Sequence, residues 1–167
     1  LVKVGENKKI LNASRKEFDG IKFKSELEVM IYKTLKESGF NPIYEPTTYT
    51  LWRGFRPTVP FYDKNKKTKL LKLNLKKMID IKHTPDFVFL YNNVVIIIEA
   101  KGMENDVFYI KKKLFRAYLE DLYRETGQKS MYFEIFTKKQ LLEAIEIIKG
   151  YGTSGENKKI NSVPAKR

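Results

Sequence analysis

The sequence predicts an α/β fold, a mixed central sheet flanked by helices, with its core in the order αβββαβ and a last helix closing the chain. Three observations carry this. Helical-period stripes cover Ser25–Gly39, Asp106–Glu125 and Lys138–Lys149. Two apolar runs flank Asn92-Asn93, a two-residue loop of the kind that closes a β-hairpin. Val94 to Ile98 is apolar throughout, as in a strand buried on both faces.

Residues 1–20 are polar and basic without a sustained period and read as a flexible basic arm with one short turn at most. Gly5-Glu6-Asn7-Lys8-Lys9-Ile10 recurs as Gly155-Glu156-Asn157-Lys158-Lys159-Ile160, at the two ends only, so it is not a repeat array. The main domain is expected over 21–150. Ser25-Glu26-Leu27-Glu28 fits a capping box, Leu27, Ile31 and Leu35 form the buried stripe, and Gly39 ends the helix. Ile43 to Leu51 is β-like, and Pro46 demands an edge or a bulge. Residues 53–82 read as a basic insertion. Asp63 to Lys67 is its solvated tip, and Lys69, Lys72, Lys76 and Lys77 alternate loosely with leucines, as in a half-exposed hairpin strand. Such a strand fits a phosphate backbone, and equally an edge guarded by lysines.

After the hairpin, Gly102 to Asn105 turns the chain. Asp106 is placed to cap a helix to about Glu125, with Ile110, Leu114, Tyr118 and Leu122 inward. Lys112, Lys113 and Arg116 fall on its other side, which reads either as a solvated face with Arg116 and Glu120 paired at i,i+4 or as a phosphate contact by Lys112 and Arg116. Arg124 reads as a solvated partner of Glu120. Thr126-Gly127 stops the helix, Met131–Phe136 is a strand, and Gly150-Tyr151-Gly152 ends the fold. Residues 151–167 read as a flexible basic tail.

The chain holds 33 Lys and Arg against 20 acidic residues, a net charge of +13. A surplus of that size points to nucleic acid or an anionic membrane surface, although a lysine-rich composition also arises in AT-rich genomes. There is no cysteine, hence no disulfide framework and no thiolate metal site. No apolar run approaches the ~18 residues of a membrane span, and the start lacks a signal-peptide pattern.

The chemistry concentrates in the hairpin. If Tyr91 faces Val94, Asp86 faces Glu99, with Cβ atoms about 4.5–5.5 Å apart on one face of the sheet. Lys101, two residues beyond Glu99, points to the same face. Like charges directly opposite repel. A hard divalent cation would convert that repulsion into ligation by carboxylate oxygens. The plainer reading makes Asp86 strand punctuation and Glu99 and Lys101 a solvated strand end. It is weakened because a carboxylate ending a doubly buried strand needs a partner. His83, the sole histidine, reads as structural or as a phosphate contact.

Pro85-Asp86 followed by Glu99-Ala100-Lys101 resembles the signature of the PD-(D/E)XK metal-dependent nucleases. With Ser25-Glu26-Leu27-Glu28, Leu35-Lys36-Glu37-Ser38-Gly39, Tyr44-Glu45 and Thr84-Pro85-Asp86-Phe87, the stretch Ser25–Gly102 is most similar to the phage endonuclease I family, the Holliday-junction resolvases of podophages. The resemblance implies a restriction-endonuclease-like core and a Mg²⁺-dependent endonuclease acting on branched DNA, with Mn²⁺ able to substitute. It also implies a homodimer, formed in that family with domain swapping, and a cytoplasmic setting, that of the host cell if the gene is a phage's. Asp86, Glu99 and Lys101 would be the signature residues and Glu28 the additional acidic residue. Asp86 and Glu99 would ligate the metal, with the Ala100 carbonyl as third ligand. Lys82, Lys112, Lys113 and Arg116 would contact DNA. A further family glutamate falls by counting on Ile43, and Glu45, two residues on, is its candidate replacement. Two rivals stand beside this reading. One is a restriction, homing or transposon-end enzyme with the same core. The other is a non-catalytic nucleic-acid-binding protein on a nuclease scaffold, against which the intact Asp86, Glu99 and Lys101 argue.

Overall fold

A computed structural model describes residues 16–102 and 106–153. The described residues begin with a hairpin, β1 (Lys16–Phe18) and β2 (Ile21–Phe23), turned by Asp19 and Gly20, both at positive φ. Residues 16–20, expected within the basic arm, therefore belong to this hairpin. Asp-Gly between aromatic and aliphatic residues is a strong hairpin signal, and it outweighs the surrounding charge. Residues 1–15, the rest of that arm, lie outside the described residues, as do both copies of the repeated hexapeptide.

Helix α1 spans Glu26–Glu37. Ser25 Oγ accepts from the Glu28 backbone N–H at 3.2 Å and donates to Glu28 Oε1 at 2.9 Å. Its C-terminus is a Schellman motif: Phe40 N–H donates to Leu35 O and Gly39 N–H to Lys36 O, with Gly39 at φ 89°. The β-like stretch after it divides. β3 (Ile43–Tyr44) and β4 (Tyr49–Trp52) are separated by Glu45, at φ 45°, and Pro46. Pro46 lacks the N–H that a ladder requires, so one continuous strand is not available.

The central sheet has the order β10-β9-β8-β3, from β8 (Phe87–Tyr91), β9 (Val94–Ala100) and β10 (Ser130–Ile135). β10 runs parallel to β9 and the other pairs are antiparallel, so the sheet is mixed. The β8–β9 hairpin pairs Tyr91 with Val94 and Phe87 with Ile98. Its two-residue turn places Asn92 at φ 47° and Asn93 at φ 61°, the conformation asparagine tolerates best after glycine. Ile96 and Ile98 pack toward α1 and α3 (Lys138–Thr153) with Phe87, Ile31, Leu35, Leu141 and Ile148. α3 runs past Gly150 to Thr153; the rest of the expected tail, 154–167, lies outside the described residues.

The opposite face, carrying Ile97, Glu99 and Tyr132, meets α2 (Asp106–Thr126) through Phe115. Of the residues expected inward on α2, Leu114, Tyr118 and Leu122 are half-buried and Ile110 is exposed, while Phe108 and Phe115 are the buried ones. The two large aromatic rings occupy the centre of the buried side. Residues 49–83 form one long antiparallel ribbon. It starts at β4 paired with β7 (Ile81–His83) and ends at β5 (Tyr62–Lys64) paired with β6 (Leu71–Leu73). The expected hairpin strand is β6, and the whole architecture holds more strands than the order αβββαβ because both ribbons were hidden in polar sequence.

Candidate active site

Asp86 sits one residue before β8. Its backbone carbonyl accepts from Glu45 N–H at 2.8 Å, and its Oδ2 accepts from Ala100 N–H at 2.7 Å. Glu99, near the end of β9, is buried at 4% exposure. The hairpin register, continued by one residue, sets the two carboxylates against each other. Burial first, and then the Glu99 charge, push the Asp86 carboxyl up to about 7, against the opposing pull of the Ala100 N–H. Burial raises Glu99 as well, offset by Lys101. Lys101 Nζ lies 2.7 Å from Glu99 Oε1 and 3.7 Å from the centroid of the Phe108 ring. The three signature residues thus come together.

Glu28 is buried at 6% exposure and fully engaged. Lys24 N–H donates to its Oε2 at 2.9 Å and the Tyr44 hydroxyl donates to the same oxygen at 2.6 Å, beside the Ser25 bond to Oε1. Burial, then this bond to a carboxylate, pushes the Tyr44 hydroxyl above its ordinary range. The Glu28 charge also helps raise Asp86 of the same chain. Glu28 therefore neighbours Asp86 within the one chain. Glu45 forms an ion pair with Lys24, whose own pKa is raised chiefly by that bond, and Ile43 is exposed on the edge strand.

Three groups escaped the sequence reading. Glu134 pairs in register with Glu99 across the parallel β10–β9 ladder, so the two side chains share a face. Lys112 Nζ binds Glu134 Oε2 at 2.8 Å. Lys112, expected to meet phosphate, is thus turned toward this face by a carboxylate that local spacing does not reveal. Tyr132 lies on the same face; burial first, then Glu99 and Glu134, push its hydroxyl up. The signal available was a lone glutamate in the otherwise uncharged strand Ser130–Ile135. Lys24 gave none.

His83 is buried, its Nε2 3.6 Å from Glu99 Oε2 and its ring 4.7 Å from that of Phe115. That separation is too long for a hydrogen bond. Burial, then the Lys101 and Lys111 charges, lower His83 to about 4, so it is neutral at neutral pH. His83 Nε2 and Glu99 Oε2 are buried without hydrogen-bond partners. The remaining basic candidates are on the surface: Lys82 paired with Asp80 at 3.4 Å, Lys113 over the Tyr109 ring, and Arg116 exposed.

The donor set suits a hard ion. Among the described residues no three His, Asp or Glu side chains group closely enough to hold one by themselves. Mg²⁺ is commonly held by only one or two carboxylates, with waters and substrate phosphates completing its shell. Asp86 and Glu99 meet that requirement, and Glu99 Oε2 is an unpartnered buried acceptor. Among the described residues no helix is long and apolar enough to cross a membrane.

The model of a family described as a protein of unknown function (DUF1064) matches residues 8–134, and the chain belongs to that family. No curated protein and no solved structure gives a match.

Proposed function

We propose that this chain is a metal-dependent DNA endonuclease with a restriction-endonuclease-like core, acting on branched or four-way DNA. The observation that carries the reading is the buried carboxylate pair Asp86 and Glu99, mutually repelling and flanked by Lys101. A protein that only needed stability would not keep two such groups together, since each raises the cost of ionising the other. The signature Pro85-Asp86 and Glu99-Ala100-Lys101 supports the same reading from the sequence.

Asp86 and Glu99, with the Ala100 carbonyl as third ligand, would hold Mg²⁺ or Mn²⁺. When bound, such an ion supplies Lewis-acid charge and makes a coordinated water more acidic. Lys101 orients the attacking water or faces the charge that develops on phosphate. Glu28, fixed by Ser25, Tyr44 and Lys24, keeps a third negative charge beside Asp86. Cleavage leaves 5′-phosphate and 3′-hydroxyl ends. A homodimer supplies the two symmetric nicks that a four-way junction needs.

The test is competition. A labelled four-way junction is digested in Mg²⁺ against an excess of unlabelled linear duplex of the same sequence. Junction cleavage that survives the competitor is expected. Cleavage erased by linear DNA of one sequence would move the protein to the restriction-type enzymes, and no cleavage of any DNA would defeat the proposal.

A further inference from the structure

Residues 53–82 hold ten Lys and Arg against two Asp, a net +8 of the chain's +13. The structure gathers them onto the ribbon. Its root is fastened by Gly54 N–H to Asp80 Oδ1 at 2.9 Å and Met78 N–H to Phe55 O at 2.8 Å. A side chain at Gly54 would overlap the Met78 carbonyl, so the two strands approach there as only glycine permits. Farther out, Asn74 N–H donates to Phe61 O, the β5–β6 pairs follow, and the tip closes between Asn65 and Leu70. The ribbon is therefore an ordered arm. Its root includes β7, three residues before Asp86, so whatever it grips is delivered beside the carboxylates.

The outer arm does not pack on the body. β6 is exposed along its whole length, and Leu71 is 76% exposed. Tyr62 and Leu73 are directly paired and both exposed. A two-stranded ribbon of this kind is marginal alone. Three occupants compete for it. A second copy would bring a second arm of the same strong positive charge, which opposes pairing. A membrane would take an apolar tip, whereas this tip reads Asn65-Lys66-Lys67-Thr68-Lys69. A polyanion satisfies the charge, and a two-stranded ribbon fits the major groove of duplex DNA.

We propose that residues 53–82 form a DNA-gripping arm, with Lys64, Lys66, Lys67 and Lys69 on the phosphate backbone and Tyr62, Leu71 and Leu73 turned to the groove. The inference rests on the DNA-nuclease reading for the identity of the polymer. It replaces the helix α2 cations as the principal binding surface, since Lys112 is held by Glu134.

The test is fluorescence anisotropy with linear duplex and four-way junction in EDTA, where no metal-dependent cutting occurs, over a range of salt. Charge reversal of the four lysines to Glu should lower affinity more than tenfold and flatten the slope of log K on log salt by about 3.6, at about 0.9 per phosphate contact. The tip variant Lys66→Ala/Lys67→Ala, which removes no ladder bond, should flatten it by about 1.8. An unchanged slope in both variants while wild type binds DNA would overturn the arm and leave the nuclease reading standing. Arm-dependent binding without Mg²⁺-dependent cleavage would do the reverse. Dissociation of a wild-type dimer into monomers by the same substitutions, or wild-type binding to anionic vesicles and not to DNA, would also overturn it.

Discussion

Replacing Asp86 with Asn should stabilise the metal-free protein at alkaline pH while abolishing its chemistry. Burial and the Glu99 charge raise the Asp86 carboxyl from 3.8 to about 7. In the window between those values the folded state keeps a proton that the unfolded state has released. Stability therefore falls as pH rises from about 4 to about 7, and the penalty is complete above it. About three units correspond to ~4 kcal/mol. Glu99 shares the strain, so roughly half, ~2 kcal/mol, is assigned to the single substitution. Asn retains an oxygen for the Ala100 N–H that Asp86 Oδ2 now accepts at 2.7 Å. For a chain of this size that amounts to a rise of about 4–8 °C in Tm at pH 8, and a much smaller one at pH 5, where Asp86 is already protonated. The assay is thermal unfolding by circular dichroism at both pH values, in EDTA and in Mg²⁺. Mg²⁺ should stabilise wild type and not the variant. An equal Tm shift at pH 5 and pH 8, or a loss of stability at pH 8, would refute the reasoning.

Lys101→Ala should slow cleavage by about 10²-fold or more, as for loss of a proton-handling or charge-stabilising group, and should lower Tm in EDTA because Glu99 loses its cation. Mg²⁺ should restore the Tm and not the rate; recovery of both would make Lys101 structural. Tyr44→Phe removes the 2.6 Å bond to the buried Glu28 carboxylate and should destabilise by ~2 kcal/mol, read by denaturant unfolding; an unchanged midpoint would show that Lys24 and Ser25 suffice. Glu28→Ala and Asp86→Ala chains, unfolded and refolded together, should stay inactive, because Glu28 neighbours Asp86 of its own chain. Recovered cleavage would show that the first helix is exchanged between protomers.

The parts of this site that were legible in the sequence are those fixed by local rules. Asn92-Asn93 sets a two-residue turn, the turn sets the register, and the register places Asp86 against Glu99. Ser25 and Glu28 close their capping box by backbone geometry alone. What stayed hidden depends on pairing between distant segments. Glu134 joins Glu99 only because β10 lies parallel to β9 across an intervening helix, and no spacing rule fixes that alignment. The ion pair of Lys112 with Glu134 is hidden for the same reason. The i,i+4 stripe of α2 is half-buried at Leu114, Tyr118 and Leu122, but its centre lies on Phe108 and Phe115, seven residues apart, which an i,i+4 pattern does not link. The β1–β2 hairpin was masked by charge, although Asp19-Gly20 announced it.

The most direct test of the central claim is single-turnover cleavage of an end-labelled four-way junction by wild type, Asp86→Asn and Glu99→Gln, in Mg²⁺ and in EDTA. Junction binding is measured on the same samples. The two-carboxylate account predicts cutting by wild type in Mg²⁺ alone, and junction binding without cutting by both variants. Cleavage by either variant at a rate near that of wild type, or by wild type in EDTA, would contradict it.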